Sequence, residues 1–241
     1  MSIADNLERI RNEVADACAR AHRSPADVAL MAVSKMHPVE FLLEAHAAGQ
    51  RLFGENRVQE WQAKAGAAGA LDGLEMHLIG PLQSNKTARA AELFHSIDTV
   101  DSLRIAARLN EAAQAIGKVL PIYIEVKLSH EETKHGLAPE ELPALLETLK
   151  PLAALTPVGL MTVPPWPADV ANAGEDARPY FQQLLRLRDE SLAACPSLTG
   201  LSMGMSNDFA AAIEEGSTCV RIGTAIFGRR TTSPPPIPSA P

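Results

Sequence analysis

Residues 26–49, ADVALMAVSKMHPVEFLLEAHAAG, decide how the rest of the chain is read. Positions 28–33 form a short, nearly continuous apolar run, the pattern of a strand buried on both faces in a parallel sheet. Pro38 then opens a helical pattern that closes at Gly49, the usual punctuation of a helix start and stop. A strand feeding directly into a helix is the building block of an α/β fold. Between the two stands Lys35, an ammonium group at the end of a buried strand. Burying a charge is costly unless it is paired or neutralised, so this lysine calls for a reason.

The same alternation repeats along the chain. Strands are expected at 51–55, 75–80, 96–100, 121–126, 158–163, 200–203 and 218–223, in addition to 28–33. Helical segments follow them, among them NRVQEWQAKAGAAG, SNKTARAAELF, DSLRIAARLNEAAQAIG and DARPYFQQLLRLRDESLAA. Eight strand–helix units predict a single closed (β/α)8 TIM barrel of the α/β class, and 241 residues suit the lower part of that fold's range. An open doubly wound sheet is the rival, favoured if one strand is miscounted. Ahead of the barrel, Ile3, Leu7, Ile10, Val14 and Ala17 recur at three-to-four spacing and predict an extra N-terminal helix. Ser2 and Asp5 resemble its capping box. The barrel is expected to occupy 1–230, and the proline-rich tail TTSPPPIPSAP, 231–241, to be disordered.

The totals narrow the function. A hydrophobic content of 46% supports a sizeable core. A net charge of −7 without a basic stripe argues against a nucleic-acid partner. Cys18, Cys195 and Cys219 form no CxxC pair, which fits a reducing compartment. The first residues, MSIADNLERIRNEV, lack the apolar core of a signal peptide, and no later run is long enough to span a bilayer. A cytoplasmic protein with no membrane partner is the expectation.

In such a barrel the active face is built from the loops that follow the strands, and phosphate groups dock after strands seven and eight. Strand seven runs into SMGMSNDFAAAIEEG, where Gly204 frees the backbone, Ser206 offers a hydroxyl, and Asn207 or Asp208 caps the next helix. Strand eight runs into RIGTAIFG, where Gly223 and Thr224 again supply backbone amides and a hydroxyl. Either loop alone reads as a tight turn. Two at these strands read as a phosphate cradle, although neither is a Walker or dinucleotide fingerprint.

Lys35 taken alone would snorkel into water. Desolvation lowers a lysine pKa, however, and a neutral amine forms imines with carbonyls. A lysine and an anion cradle across one barrel therefore describe an aldehyde ligand bearing a phosphate. Pyridoxal 5′-phosphate fits. A sugar-phosphate aldolase fits too, although resemblance to aldolases would put their lysine on strand six, where VGLMTVP has none. Arg221, just before the cradle, would face the ligand's ring, its alternative being an ion pair with an acid elsewhere in the barrel. It can donate to an unprotonated ring nitrogen but not usefully protonate it. Asn56 in FGEN is read as ligand-facing, near the ring oxygen or the lysine, with capping of the next helix as its alternative, while His77 in EMHLIGPLQSNK is either ligand-facing or a hydrogen-bonded core histidine. Met161 on strand six would pack against the ring, its alternative being a core methionine. The stretch HEETKH has its histidines five apart, off one helical face, so no metal is assigned there. Lys134 within it is either a loop lysine or a second imine former.

The blocks AVSK, FGENRVQE, HLIGPLQSNK, GLMTVP, LSMGMSNDFAAAI and GSTCVRIGTAIFG, taken together in order and spacing, resemble the pyridoxal-phosphate homeostasis proteins from about Val28 to Arg229. The resemblance implies a barrel like the N-terminal domain of alanine racemase that binds pyridoxal 5′-phosphate as an imine. It makes Lys35 the imine lysine, Ser202, Gly204, Met205 and Ser206 with Gly223 and Thr224 the phosphate binders, and Arg221 the residue facing the pyridine nitrogen. It implies a protein that buffers or delivers the cofactor, with indirect effects on amino-acid and keto-acid balance and without catalytic turnover. Its partners would then be the cofactor and recipient apo-enzymes that use it, and the protein itself a monomer or weak dimer. The enzymatic alternative is a racemase or decarboxylase using the same cofactor. One departure stands out: many relatives carry a second lysine two residues after the first, where this chain has His37.

Overall fold

The structure is a computed structural model and describes residues 2–68, 71–129, 131, 135–167 and 169–228. The expected disordered tail, 231–241, and Lys134 lie outside the described residues. Within them a helix α1 (Ile3–Arg20) precedes eight parallel strands that close into a barrel in sequence order. The strands are β1 (Ala29–Val33), β2 (Leu52–Glu55), β3 (Glu75–Leu78), β4 (Ser96–Val100), β5 (Leu120–Glu125), β6 (Leu155–Met161), β7 (Gly200–Ser202) and β8 (Cys219–Ile222). The helices between and after them are α2 (Val39–Ala47), α3 (Val58–Ala68), α4 (Thr87–Leu93), α5 (Leu103–Ala115), α6 (Leu142–Leu149), α7 (Ala173–Ser191), α8 (Phe209–Glu214) and α9 (Thr224–Phe227).

Closure rests on β1 pairing with β8, in the register Ala29 with Cys219 through Ala32 with Ile222. That pairing excludes the open doubly wound sheet. The strands differ from the sequence expectation mainly at their ends. β6 begins at Leu155 rather than at 158, because a strand with Pro157 inside it continues through an irregularity. Ile122 pairs with Pro157, and the next residue, Tyr123, pairs with Gly159. Proline lacks an N–H for the ladder, so a slip of this kind is where a strand proline is tolerated. β3 stops at Leu78, and Gly80 lies beyond the strand, close against Asn56.

The N-terminal helix is part of the core rather than an appendage. Ser2 Oγ accepts from the Asp5 amide at 3.1 Å, and the Ser2 amide donates back to Asp5 at 2.8 Å. This is the reciprocal cap expected from the sequence. Ile3, Leu7, Ile10, Val14, Ala17 and Cys18 are all buried, against α2, α8 and α9. Two polar contacts tie α1 to α9, the short helix after β8. Asn6 Nδ2 donates to the Ile226 carbonyl at 2.9 Å and Arg9 to that of Ala225 at 3.0 Å. Among the described residues no helix is long and apolar enough to cross a membrane.

Leu7 is fully buried in that stripe. Leu7→Ala is expected to cost about 2–5 kcal/mol in a urea-unfolding experiment, the range for a leucine cut back inside a packed core. A loss below about 1 kcal/mol would mean that α1 is peripheral to the fold.

Candidate functional site

A cavity of about 830 Å³ opens where the strands end. Lys35, two residues past β1, enters it from one side, and Asn56, just past β2, stands beside it. Lys35 Nζ donates to Asn56 Oδ1 at 3.3 Å, a long bond. Asn56 owes its position to Gly80. A Cβ at residue 80 would lie 2.2 Å from the Asn56 carbonyl oxygen, so only glycine lets β3's exit pass this close.

The opposite wall is built by the loops after β7 and β8. Met205, Ser206, Asn207, Asp208, Gly223 and Thr224 line it. Gly204 has a φ of +96°, and a Cβ there would sit 2.6 Å from the Ala212 Cβ. The turn thus needs glycine on both conformational and packing grounds. Its carbonyl accepts from the Arg221 amide at 2.9 Å, binding the two loops together. The Asp208 carboxylate accepts from the Met205 amide, so this acid is engaged in shaping the loop it belongs to. The helices that follow are only six and four residues long. An anion at this wall would therefore meet loop amides and hydroxyls more than helix dipoles, which accumulate with length.

Arg221 lies in β8, buried, with one edge on the cavity. Its guanidinium donates to Ser202 Oγ and to the Thr162 carbonyl, each at 2.8 Å. Those neutral acceptors fix the plane of the group. Burial presses its pKa down, while the nearby acids oppose this, and an arginine remains a cation regardless. One of those acids, Glu125 at the end of β5, also lines the cavity. Burial pushes its pKa up to about 7 against the pull of Arg221. The sequence reading passed over Glu125. Its one signal was an acid closing the otherwise apolar strand IYIE. Also missed were the cavity-lining Lys127, Ser129 and His135 after β5, and Trp166, which lines the rim at 75% exposure.

The comparisons with known proteins agree with the barrel fold. The family model for the alanine racemase N-terminal domain matches residues 5–231. A pyridoxal phosphate homeostasis protein of Pseudomonas aeruginosa is 44% identical over 234 residues, 97% of this chain and 98% of its own length. One from Vibrio cholerae is 44% identical over 239 residues, 96% of this chain and 98% of its own length. Among solved structures, PipY of Synechococcus elongatus with PLP bound superimposes with a TM-score of 0.83 at 38% identity. That match covers 94% of this chain and all of PipY.

The remaining sequence candidates lie elsewhere. Ser202 and Met161 are buried behind the cavity wall, Ser202 as the acceptor for Arg221. Gly204 also sits behind that wall. His37 is buried between the rings of Phe41 and Phe227, at centroid distances of 5.5 and 5.3 Å, rather than on the cavity. His77 is a core histidine whose ring points toward the strand starts. Nδ1 donates to Asp98 at 3.1 Å and Nε2 to Glu75 at 3.0 Å when the ring is charged. Burial works against that charge, but Asp98 and then Glu75 outweigh it and carry the pKa to about 10. A folded pKa above the unfolded value of roughly 6.5 gives stability that is full below pH 6.5 and is lost as pH rises toward 10. Urea midpoints of the wild type should therefore fall between pH 7 and 10, and those of His77→Gln should be lower at pH 7 and fall less. Parallel pH profiles for the two proteins would refute the assignment.

Proposed function

The chain belongs to the family of pyridoxal phosphate homeostasis proteins, and from that membership we propose that it binds pyridoxal 5′-phosphate and takes part in intracellular vitamin B6 homeostasis. The observation that carries this reading is the placement of Lys35 across one cavity from Ser206, Gly223 and Thr224. The residues present fit the group. The amine suits an aldehyde, the two loops suit a phosphate, and the fixed Arg221 suits a ring nitrogen. The buried Ser129 Oγ in the cavity wall has no hydrogen-bond partner among the described residues, which favours a polar ligand.

When bound, the cofactor supplies an aldehyde for attachment and a conjugated ring. The protein's own part is to hold. In this reading Lys35 condenses with the aldehyde, forming a carbon–nitrogen double bond with loss of water. Ser206 and Thr224 donate to the phosphate together with loop amides. Asn56 steadies the lysine. Arg221 faces the ring nitrogen as a donor and leaves it unprotonated, which weakens carbanion stabilisation and favours storage over turnover.

The enzymatic alternative needs two bases on opposite faces of a substrate adduct. Neither of the chain's two tyrosines lines the cavity. Tyr123 packs inside the barrel near Gly159 and Gly200, and Tyr180 lies on α7. Glu125 and His135 do line it, so the distinction is an experimental one. Delivery to recipient apo-enzymes, action in the cytoplasm and a monomeric or weakly dimeric state complete the proposal.

Wild-type protein incubated with pyridoxal 5′-phosphate should develop an imine absorbance band, and borohydride should convert it to a stable adduct on Lys35. Lys35→Ala should lose the adduct. A protein that remains colourless and unlabelled would overturn the reading. Ser206→Ala with Thr224→Ala should weaken cofactor retention by about ten- to a hundredfold, since each donates to an anion. Retention unchanged in that double variant would remove these loops from the site. A screen of free amino acids should reveal no robust racemisation or decarboxylation, and either activity would favour the enzyme.

A further inference from the structure

The turn that carries Lys35 is gripped from behind by a largely buried cluster of charges. Lys64, on α3, is 11% exposed. Its ammonium donates to the Ser34 carbonyl at 2.9 Å and to Glu55 and Glu60 at 2.8 Å each. Three N–H groups meet three acceptors. The cluster then reaches both neighbours of Lys35. Ser34 Oγ donates to Glu55 Oε1 at 2.7 Å, and the Met36 amide donates to Glu60 Oε1. Met36 has a φ of +61°, a left-handed conformation that costs a non-glycine residue on the order of 1–3 kcal/mol unless its surroundings hold it there. Glu55 is in turn the residue before Asn56, the partner of the Lys35 amine.

Stability alone does not account for such a cluster. Glu55 is fully buried, and its Oε2 has no partner among the described residues. Burial drives its carboxyl pKa upward, with Lys64 pulling the other way. Buried ion pairs of this kind often contribute less than an apolar replacement would, and are retained where they fix one geometry. Here the geometry fixed is that of the residues on either side of the reactive amine.

We propose that Lys64, through Glu55 and Glu60, is a positioning residue for Lys35: it locks the Ser34–Met36 turn so that the amine points into the cavity. The proposal rests on the cofactor reading above and adds a determinant that touches no ligand. Lys64 is not among the residues lining the cavity. Its loss should therefore impair covalent attachment while leaving recognition of ring and phosphate in place.

Two ligands separate these effects. Pyridoxal 5′-phosphate can condense with Lys35, whereas pyridoxamine 5′-phosphate has the same ring and phosphate and no aldehyde. Lys64→Met should bind the first about tenfold more weakly and trap it on Lys35 under borohydride at least about tenfold more slowly, the scale of a misplaced reacting group. Its affinity for the second should stay within about threefold of wild type, a difference under 1 kcal/mol. Equal losses for both ligands would mean general loosening and would overturn the proposal, as would no loss for either. Glu60→Gln provides a second test that keeps an oxygen for the Met36 amide. It should show a smaller loss confined to pyridoxal 5′-phosphate, and unchanged binding of both ligands would again overturn the proposal. Wild-type protein that forms no adduct on Lys35 would instead sink the cofactor reading, and this inference with it.

Discussion

Everything at the cavity depends on the ladder between β1 and β8. Four residue pairs, Ala29 with Cys219 through Ala32 with Ile222, join the first strand to the last. Without them Lys35 and Thr224 would be separated by most of the chain. With them, the residue after β8 lies against β1, and a Cβ on Gly223 would approach the Val33 carbonyl to 3.3 Å. Parallel pairing at such separation is entropically expensive and must be secured by burial. The securing element is α1, which caps this seam from outside through Asn6 and Arg9 on the α9 carbonyls.

The charges inside the fold divide along the barrel axis. Glu75, His77, Asp98 and Ser96 form a hydrogen-bonded network on β3 and β4, with Ser96 Oγ donating to Asp98 at 2.7 Å. Arg221 and Glu125 occupy the cavity end, and Lys64, Glu55 and Glu60 stand outside the barrel wall behind the lysine turn. The first network satisfies its own members and leaves little for a ligand. At the cavity end the cation is held by neutral acceptors, Ser202 Oγ and the Thr162 carbonyl. Among the described residues no direct ion pair cancels its charge.

The architecture was legible because it is written in short-range pattern. Apolar runs of four to seven residues, glycine stops and the Ser2–Asp5 cap each follow local rules, and eight repetitions leave few folds to choose from. That Lys35, Asn56, Ser206 and Thr224 would share one cavity was legible because a barrel puts strand ends on one face. The first residues of β6 were not legible because a strand proline depends on its neighbour: the expected strand began after Pro157, and only the slip opposite Ile122 admits it. Glu55, Glu60 and Lys64 were invisible for a similar reason. On an isolated helix, Glu60 and Lys64 form an ordinary solvent-facing pair four residues apart. Only the packing of α3 against the turn after β1 turns that pair into a support for Ser34 and Met36.

His37 and His77 show how a titratable side chain in a suggestive place acquires its role from the first partners it meets. His37 lies two residues beyond the lysine, close enough in sequence to be read as part of the site. Proline at 38 and the start of α2 turn its ring away to stack with Phe41 and Phe227. His77 sits on a strand facing the barrel interior, but two carboxylates, Glu75 at the start of its own strand and Asp98 on β4, hold both of its nitrogens. In each case a short-range contact outcompetes the ligand site for the ring. Beside Lys35 the charges grip its neighbours' backbone and side chains, while Asn56 accepts from its amine at the cavity edge.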